Sequence, residues 1–250
     1  MNRVYYKLKM DRNIPVPLYY QLKQFMISQI EQNVLKEGDP VPSEEELCHI
    51  LNVSRATIRQ AFSELVAEGH LKRMKAKGTF IAKPKIEGEF FQTIESFNDE
   101  MRKKGLVPST KVIGMGVMRN EKIMKTLQLE DDDACIYIKR IRFANDDPMV
   151  YVETFLSDKK YHGLLEVDLE KNSLYQTLDE KFGVVVYKVS RLLQVDLADK
   201  KLATLLNIKE DAPIYYVYTS SFTQEGEPIA HSIAQYRGDR NEFRVDLVRK

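Results

Sequence analysis

The sequence contains little that would place the protein in a membrane or in an oxidising compartment. It has no tryptophan and only two cysteines, Cys48 and Cys135, among 250 residues. These cysteines fall in segments that read as a helix and a strand, which indicates buried thiols rather than a disulfide framework. No apolar run approaches the ~18 residues that a transmembrane helix needs, and the first residues lack the apolar stretch of a signal peptide. We therefore expect a cytoplasmic protein without a membrane partner.

Sequence signatures of common enzyme classes are missing as well. Neither cysteine belongs to a CxxC pair. The four histidines show no spacing typical of metal ligands: His49, His70, His162 and His231. No glycine-rich phosphate loop follows a predicted strand, and no GxSxG motif occurs. We therefore expect a protein that is not an enzyme and that has no metal and no cofactor.

Charge is nearly balanced overall but unevenly distributed. The formal net charge is +1, yet residues 1–84 contain 13 Lys and Arg against 9 Asp and Glu, whereas residues 85–250 contain 25 against 28. Residues 55–84 alone hold seven basic and two acidic side chains. This asymmetry favours a polyanionic partner for the N-terminal part, although a solvated basic surface would have the same composition.

The N-terminal part has the pattern of three helices followed by a basic hairpin. Apolar residues recur at helical spacing in 18–30. Ser43 and Glu46 have the spacing of a capping box at the start of a second helix. Ser54 can cap a third helix, which ends at Gly69. Because the second and third helices are joined by a tight turn and a hairpin follows, this order predicts a winged helix-turn-helix.

The third helix and the hairpin carry basic side chains where such a fold meets DNA. Arg55, Thr57 and Arg59 lie near the start of the helix, where a recognition helix meets base edges. The hairpin tip carries residues that could meet phosphates or a groove: Lys75, Lys77, Gly78 and Thr79. The alternative is a plain three-helix unit with solvated arginines. The combination of helix, cap, arginines and basic hairpin favours DNA binding.

Beyond a charged linker at 83–92, helix and strand patterns alternate. The predicted helices are 93–104, 121–127, 173–182 and 198–206. The predicted strands are 110–117, 135–143, 149–156, 185–195, 213–223, 228–237 and 242–247. Short polar connections between strands predict an antiparallel sheet. A weak internal repeat, 126–137 against 205–215, suggests a duplicated unit of one helix and one hairpin, which would leave a cleft between sheet and helices.

Four ordered motifs within residues 15–82 resemble the DNA-binding domain of GntR-type bacterial transcription regulators. The motifs are 42–47, 53–61, 65–69 and 77–81. With this resemblance, the predicted DNA-binding set also includes Ser43 and Ser54. The family often has an arginine where this chain has Glu45, and that arginine commonly contacts DNA. Glu45 cannot make this contact, so either the operator differs from the family's common half-site or affinity depends more on Arg55 and Arg59.

A second resemblance spans about residues 90–247 and points to the UTRA effector-binding domain of the HutC subfamily, whose sheet is like that of chorismate lyase. It rests on short segments in a specific order: 96–97, 102–105, 139–142, 152–154, 172–175, 212–213 and 236–243. We therefore expect an α+β protein. Its N-terminal winged helix-turn-helix would occupy 1–82, followed by the linker at 83–92. An antiparallel-sheet UTRA domain at 93–250 would bind the effector and dimerise.

Two arginines on the predicted strand 135–143 indicate where an effector would bind. Arg140 and Arg142 share one face with two isoleucines, because side chains alternate along a strand. Two guanidiniums beside an apolar strip favour a phosphate or carboxylate ligand. The alternative from the residues alone is a salt bridge to one of three nearby acids: Asp146, Asp147 and Glu153.

The UTRA resemblance assigns further residues to this site. It implies that the two arginines hold the phosphate of a sugar phosphate together with Ser96 and Ser173. It also implies that Glu153, Tyr175 and Tyr236 contact the sugar. His231 is a further candidate, for which a structural role is the alternative.

These inferences combine into a bacterial ligand-responsive DNA-binding transcription regulator. Repression is the usual mode of the resembled family, and a phosphorylated sugar or a related small anion is the expected effector. Because one helix-turn-helix reads only a half-site, we expect a homodimer on a palindromic operator. One alternative is a DNA-tethered or free sugar-phosphate-binding protein with enzymatic activity in the C-terminal domain. The other is a nucleic-acid-binding structural protein without an effector.

Overall fold

The structure is a computed structural model that describes residues 3–83, 85–89 and 91–248. The chain divides between Lys85 and Ile86 into two compact units. Pro84 and Phe90, both within the predicted linker 83–92, lie outside the described residues. Among the residues described, no helix is both long and apolar enough to cross a bilayer.

The N-terminal unit consists of three α-helices and a small three-stranded sheet. After a 3-10 helix at Arg3–Lys7, the helices are α1 (Leu18–Glu31), α2 (Glu44–Leu51) and α3 (Arg55–Ala67). The strands are β1 (Pro40–Val41), β2 (Leu71–Met74) and β3 (Gly78–Ile81). The sheet has the order β1-β3-β2, with β2 and β3 forming the predicted hairpin. Fully buried side chains from all three helices form the core: Leu22, Met26, Leu47, Ile58, Phe62 and Leu65.

Local capping explains where α2 begins and ends and where α3 begins. Ser43 and Glu46 form the predicted capping box, with the Ser43 Oγ accepting from the Glu46 amide at 3.2 Å. Asn52 adopts the left-handed conformation with φ 51°, and this ends α2. Ser54, three residues after Leu51, then caps the start of α3. The two helices are thus joined by the tight turn that the sequence predicts, and the winged helix-turn-helix is confirmed.

The C-terminal unit is built on a six-stranded antiparallel sheet. Its strands are β5 (Pro108–Met118), β6 (Cys135–Ala144), β7 (Asp147–Ser157), β8 (Lys188–Leu197), β9 (Pro213–Phe222) and β10 (Pro228–Arg237). Their order is β5-β6-β7-β10-β9-β8. The helices are α4 (Phe97–Lys103), α5 (Glu121–Thr126), α6 (Asp158–Tyr161), α7 (Leu174–Phe182) and α8 (Lys200–Leu206), with a 3-10 helix at His162–Glu166. The predicted α+β fold with a C-terminal antiparallel sheet is confirmed.

The sheet order is symmetrical about the central β7–β10 pair. On one side, α5 precedes the hairpin β6–β7, and on the other side α8 precedes the hairpin β9–β10. This is the arrangement that the weak internal repeat suggested. The β6–β7 turn places Asn145 and Asp146 at φ 49° and 64°, the left-handed pair that a two-residue hairpin turn requires.

Helices cover both faces of the sheet and differ in what they bury. The first face packs against α5 and α8 through Ile123, Leu127, Leu202 and Leu206. The second face carries Ile136, Ile138 and Leu156, which pack against α6 and α7. Phe97 of α4 packs against Val150 and Val152 on this same face. A pocket lined by Arg140, Val152 and Thr154 lies on the second face.

The segment predicted to be a linker contains a strand. Ile86–Gly88 forms β4, which pairs in parallel with β11 at Asn241–Phe243, and the Ile86 amide donates to the Arg240 carbonyl at 2.7 Å. The strand predicted at 242–247 is correspondingly short. The helix predicted at 93–104 begins only at Phe97, because Ser96 is its N-cap. Three residues are too few to show a strand period, and their partner lies far away in the sequence, so local patterns could not reveal this pair.

Candidate functional site

The start of α3 presents two exposed arginines one helical turn apart. The side chains of Arg55 and Arg59 are each 69% exposed, and Arg73 on β2 joins them with 54% exposure. All three approach the carboxylate of Glu44, the first residue of α2, at 3.3–3.6 Å. The sequence analysis did not assign Arg73 or Glu44 to the DNA-binding surface. The cross-strand pairing of Arg73 with Thr79 brings it beside α3, and no local pattern signals this.

Three predicted DNA-binding hydroxyls also stabilise helix ends. The Ser43 Oγ belongs to the α2 capping box. The Ser54 Oγ accepts from the Thr57 amide at 3.2 Å and lies 2.8 Å from the Thr57 hydroxyl. These contacts give the side chains a structural role at the surface where Arg55 emerges. Their contact with DNA stays a prediction.

The tip of the β2–β3 hairpin has the exposure and backbone shape of a wing. Lys75, Lys77 and Gly78 are exposed, and Thr79 is half-buried. Ala76 and Gly78 have φ values of 60° and 108°, and the Lys77 amide donates to the Met74 carbonyl at 3.0 Å. The tight turn leaves both lysine side chains free to reach a polyanion.

A pocket between the second face of the sheet, α4 and α7 collects most of the predicted effector residues. Six of them line it: Ser96, Arg140, Arg142, Ser173, Tyr175 and Tyr236. Val150 and Val152 of β7 supply an apolar floor. The sequence therefore identified the residues of one cavity, and their role as ligands of an effector stays a prediction.

The two β6 arginines contact a hydroxyl group and an aromatic ring. The Arg140 side chain donates through Nη2 to the Thr154 hydroxyl at 3.0 Å, and its Nε has no hydrogen-bond partner. The Arg142 guanidinium lies 5.4 Å from the centroid of the Phe97 ring. Burial lowers the pKa of both arginines, and repulsion by Arg142 lowers the pKa of Arg140 further. Such an arrangement favours an anion that would satisfy both cations.

The alternative of a salt bridge to a nearby acid does not occur. Among the described residues, no carboxylate forms an ion pair with Arg140 or Arg142. Glu153 pairs with Lys139 at 3.5 Å, and Asp147 pairs with Arg237 at 3.0 Å.

Two predicted effector residues lie on the first face of the sheet, away from the pocket. Glu153 accepts a hydrogen bond from the Tyr151 hydroxyl, and His231 Nδ1 lies 3.1 Å from the Ser220 hydroxyl. Placing them in the pocket was wrong because side chains alternate along a strand. Thr154 and Ser232, their neighbours in sequence, line the pocket instead. Burial lowers the pKa of His231.

The prediction also missed several polar residues of the pocket. Arg191 on β8 lines it opposite Thr219, and its Nη1 donates to the Thr93 carbonyl at 3.4 Å. Glu100 of α4 and Glu95, which precedes the N-cap of α4, line the pocket on the side of this helix. An arginine inside a predicted strand was the signal that identified Arg140, and the same signal was present at Arg191. The two glutamates carried none, because acidic residues in a short surface helix are common.

The two serines of the pocket differ in whether their side chains cap a helix. The Ser96 Oγ accepts from the Asp99 amide at 3.2 Å and donates to the Asp99 carboxylate at 2.6 Å. Ser173 is the N-cap residue of α7, but its side chain makes no capping hydrogen bond. The first residues of α7, Leu174 and Tyr175, also line the pocket. A helix N-terminus favours a nearby anion. The start of α7 therefore adds to the attraction that the arginines exert on an anion in the pocket.

Each of the two units matches a known protein family. Residues 18–81 match the family described as bacterial regulatory proteins, gntR family, and residues 103–242 match the UTRA domain. The chain belongs to the GntR family and carries a UTRA domain. This GntR regulator is 30% identical over 237 residues to the HTH-type transcriptional repressor NagR of Bacillus subtilis (strain 168), covering 94% of this chain and 97% of NagR. Its HutC-like character is thereby confirmed.

Two further relatives support the assignment. A probable fructoselysine utilization operon transcriptional repressor of Escherichia coli (strain K12) is 28% identical, with 96% of this chain and 98% of the relative covered. The crystal structure of PhnF from Mycobacterium smegmatis has a TM-score of 0.72 at 23% identity, covering 93% and 99% of the two chains, and shows the same fold. NagR and the fructoselysine relative are both named as repressors of transcription. The GntR regulator is therefore a ligand-responsive DNA-binding transcription regulator.

Replacing Arg59 by alanine should weaken operator binding and relax the preference for one base of each half-site. A bidentate arginine–guanine contact contributes about 1–3 kcal/mol of discrimination. The measurement is a titration of operator and single-substituted operators by fluorescence anisotropy at fixed salt. Lys75→Ala serves as the comparison: it should weaken all sequences alike and reduce the slope of log K against log salt by about one. Wild-type operator affinity in Arg59→Ala would show that α3 is not the recognition helix.

Proposed function

We propose that this GntR regulator is a repressor that releases its operator when a phosphorylated sugar binds the pocket of the C-terminal unit. The observation that supports this most is the pair of Arg140, which is buried, and Arg142, which is half-buried beside it on the same face of the sheet. Among the described residues, neither arginine has a carboxylate partner. A bound phosphate would supply the missing charge and accept hydrogen bonds from both guanidiniums.

The rest of the pocket suits the body of a sugar. Hydroxyl groups of Thr219, Ser232 and Tyr236 line the cavity and can exchange hydrogen bonds with sugar hydroxyls. Glu95 and Glu100 can accept hydrogen bonds from the same hydroxyls. A ligand with one strongly anionic end and several hydroxyl groups matches this distribution. The fructoselysine operon named for one relative supports a sugar derivative as the class of effector.

Binding without turnover is the second part of the proposal. The pocket is lined by arginines, residues with hydroxyl groups, two glutamates and apolar side chains. His231, which the sequence analysis assigned to this site, lies on the other face of the sheet. Among the described pocket residues, no pair has the nucleophile–base arrangement of a hydrolase. We therefore propose that the protein is not an enzyme, in keeping with relatives that are transcription regulators.

Calorimetric titration with sugar phosphates tests this function, and Arg140→Ala sharpens the test. Charge-assisted hydrogen bonds contribute about 1.5–3 kcal/mol each, so the variant should bind the effector one to two decades more weakly. It should bind the operator normally but resist release. Lys139→Ala, on the opposite face, is the matched control and should keep its effector affinity. Equal affinities in wild type and Arg140→Ala, or conversion of the sugar phosphate during titration, would contradict the proposal.

We also propose that the working unit is a twofold homodimer assembled through the C-terminal sheet. β8 is an outer strand of that sheet and exposes large apolar side chains: Leu192, Leu193, Val195 and Leu197. An outer strand of this length with exposed apolar side chains is prone to pair with another chain. A twofold axis at β8 would cover these side chains in both copies and supply two recognition helices for a palindromic operator.

Val195→Glu should convert the dimer into a monomer. Each copy of the twofold interface would lose a buried valine, worth about 1.5–3 kcal/mol, and would gain a buried charge. Analytical ultracentrifugation should therefore show at least about a hundredfold increase in the dimer dissociation constant, and operator affinity should fall with it. Val117→Glu, on the opposite outer strand at 45% exposure, is the matched control. A dimer of unchanged stability in Val195→Glu would place the interface elsewhere.

The pocket has a direct connection to the segment that leads to the DNA-binding unit. Glu100 of α4 is 8% exposed, lines the pocket and accepts a hydrogen bond from the Glu89 amide at 2.6 Å. Lys104, one turn further, pairs with the Glu89 carboxylate at 3.0 Å. Because Glu89 directly follows β4, we propose that an effector that shifts α4 also shifts the start of the C-terminal unit.

Glu100→Ala should therefore weaken the coupling between effector and operator. By linkage, an effector that lowers operator affinity must itself bind less tightly to the operator complex, by the same factor. Substitutions in a coupling element typically change this free energy by about 0.5–2 kcal/mol. Effector is titrated with and without saturating operator. Glu95→Ala is the control. Glu95 lines the same side of the pocket, but its carboxylate pairs with Lys103, whereas that of Glu100 accepts from the Glu89 amide. An undiminished coupling factor in Glu100→Ala would exclude this route.

A further inference from the structure

One carboxylate lies among the arginines of the candidate DNA-binding surface. Glu44 has 22% of its side chain exposed, much less than the arginines around it. Its Oε2 lies 3.6 Å from the Nε of Arg55 and 3.3 Å from the Nε of Arg59, and its Oε1 lies 3.6 Å from the Nη2 of Arg73. We propose that Glu44 determines operator specificity by holding these three arginines in the arrangement that reads DNA, an inference that rests on the recognition surface proposed above.

The atoms in contact support this role. A guanidinium reads guanine O6 and N7 with two parallel N–H donors, and the terminal Nη pair can provide them. Glu44 approaches Arg55 and Arg59 most closely through Nε. Glu44 therefore restrains each of these arginines at Nε and leaves its two Nη groups available for a base. Glu44 acts on DNA through the arginines and is a positioning residue.

The restraint matters because long exposed side chains are otherwise free to rotate. Ordering one rotamer-rich side chain at an interface opposes binding by about two- to tenfold. Two of these arginines come from α3 and one from the hairpin, so a single carboxylate orders side chains from two elements that meet DNA. Exposed ion pairs contribute little to folding stability, which leaves recognition as the main effect of the cluster.

The negative charge of Glu44 has a separate effect, which is on the strength of DNA binding. Binding to random DNA depends on attraction to phosphates, and a carboxylate among the arginines reduces that attraction. Binding to the correct operator compensates for this through the ordered base contacts. Ordering of the arginines therefore widens the gap between operator and random sequence, whereas the charge by itself lowers the affinity for both.

The chain provides a matched control in the next residue. Glu45 lies in the same helical turn as Glu44 and is exposed. Within the described ranges, Glu45 forms no ion pair, so it shares the charge of Glu44 without its contacts. Replacement of either residue by alanine removes one negative charge from the first turn of α2.

The experiment compares Glu44→Ala and Glu45→Ala in the full-length protein. The probes are a duplex recovered by wild-type protein from a randomised pool, single-base variants of it, and a random-sequence duplex of equal length. Anisotropy titration gives the ratio of affinities for recovered and random duplexes, and thermal unfolding checks that each variant is folded. Glu44→Gln, which keeps the size of the side chain, is the second variant if Glu44→Ala unfolds. Arg59→Ala is measured in parallel.

We expect both alanine variants to bind random duplex more tightly than the wild type, because each loses a negative charge. The affinity ratio should fall roughly tenfold in Glu44→Ala, the effect of releasing more than one arginine side chain, and stay within about twofold in Glu45→Ala. Equal ratios in the two variants would overturn the role of Glu44 while leaving the recognition surface intact. If Arg59→Ala also kept the wild-type ratio, the recognition surface itself would be wrong.

Discussion

The candidate effector site depends on one constraint, the alternation of side chains along the strands of the central sheet. Val152 and Thr154 of β7 face the pocket, so Glu153 between them must face the opposite side. The same rule sends Arg140 and Arg142 of β6 to one face and Lys139 to the other. Because β7 and β10 pair at the centre of the sheet, the register of this pair decides which polar groups share the cavity. A slip of one residue in β6 would remove both arginines from it.

The sequence predicted the N-terminal unit more fully than the C-terminal one, for a physical reason. Helix starts are local events, and the caps at Ser43 and Ser54 are fixed by residues three positions apart. The sheet is assembled from distant segments, so the β4–β11 pair could not be read from either segment. Alternation was sufficient to place Arg140 and Arg142 together. It was not applied to Glu153, where the resemblance was given more weight than the strand period, and the assignment failed there.

Two kinds of buried arginine occur in the C-terminal unit, and the contrast between them is informative. Arg237 is 5% exposed and pairs with Asp147 at 3.0 Å and with Asp239 at 2.8 Å. Arg140 is 3% exposed, and its hydrogen-bond partner among the described residues is the neutral hydroxyl of Thr154. A buried charge with carboxylate partners stabilises a particular fold, whereas a buried charge without one destabilises the ligand-free protein. An anion in the pocket would recover the free energy lost at Arg140, which would link the charge of the pocket to its selectivity.

The contact between Phe97 and Arg142 has a practical consequence. Phe97 belongs to α4 and lines the pocket, with its ring 5.4 Å from the Arg142 guanidinium. The chain contains no tryptophan. An indole introduced in place of Phe97 would therefore be the sole long-wavelength emitter in the protein, positioned beside the cation that an incoming anion would neutralise. The pocket is thus a natural place for an optical reporter, and its intrinsic signal would follow occupancy without any added dye.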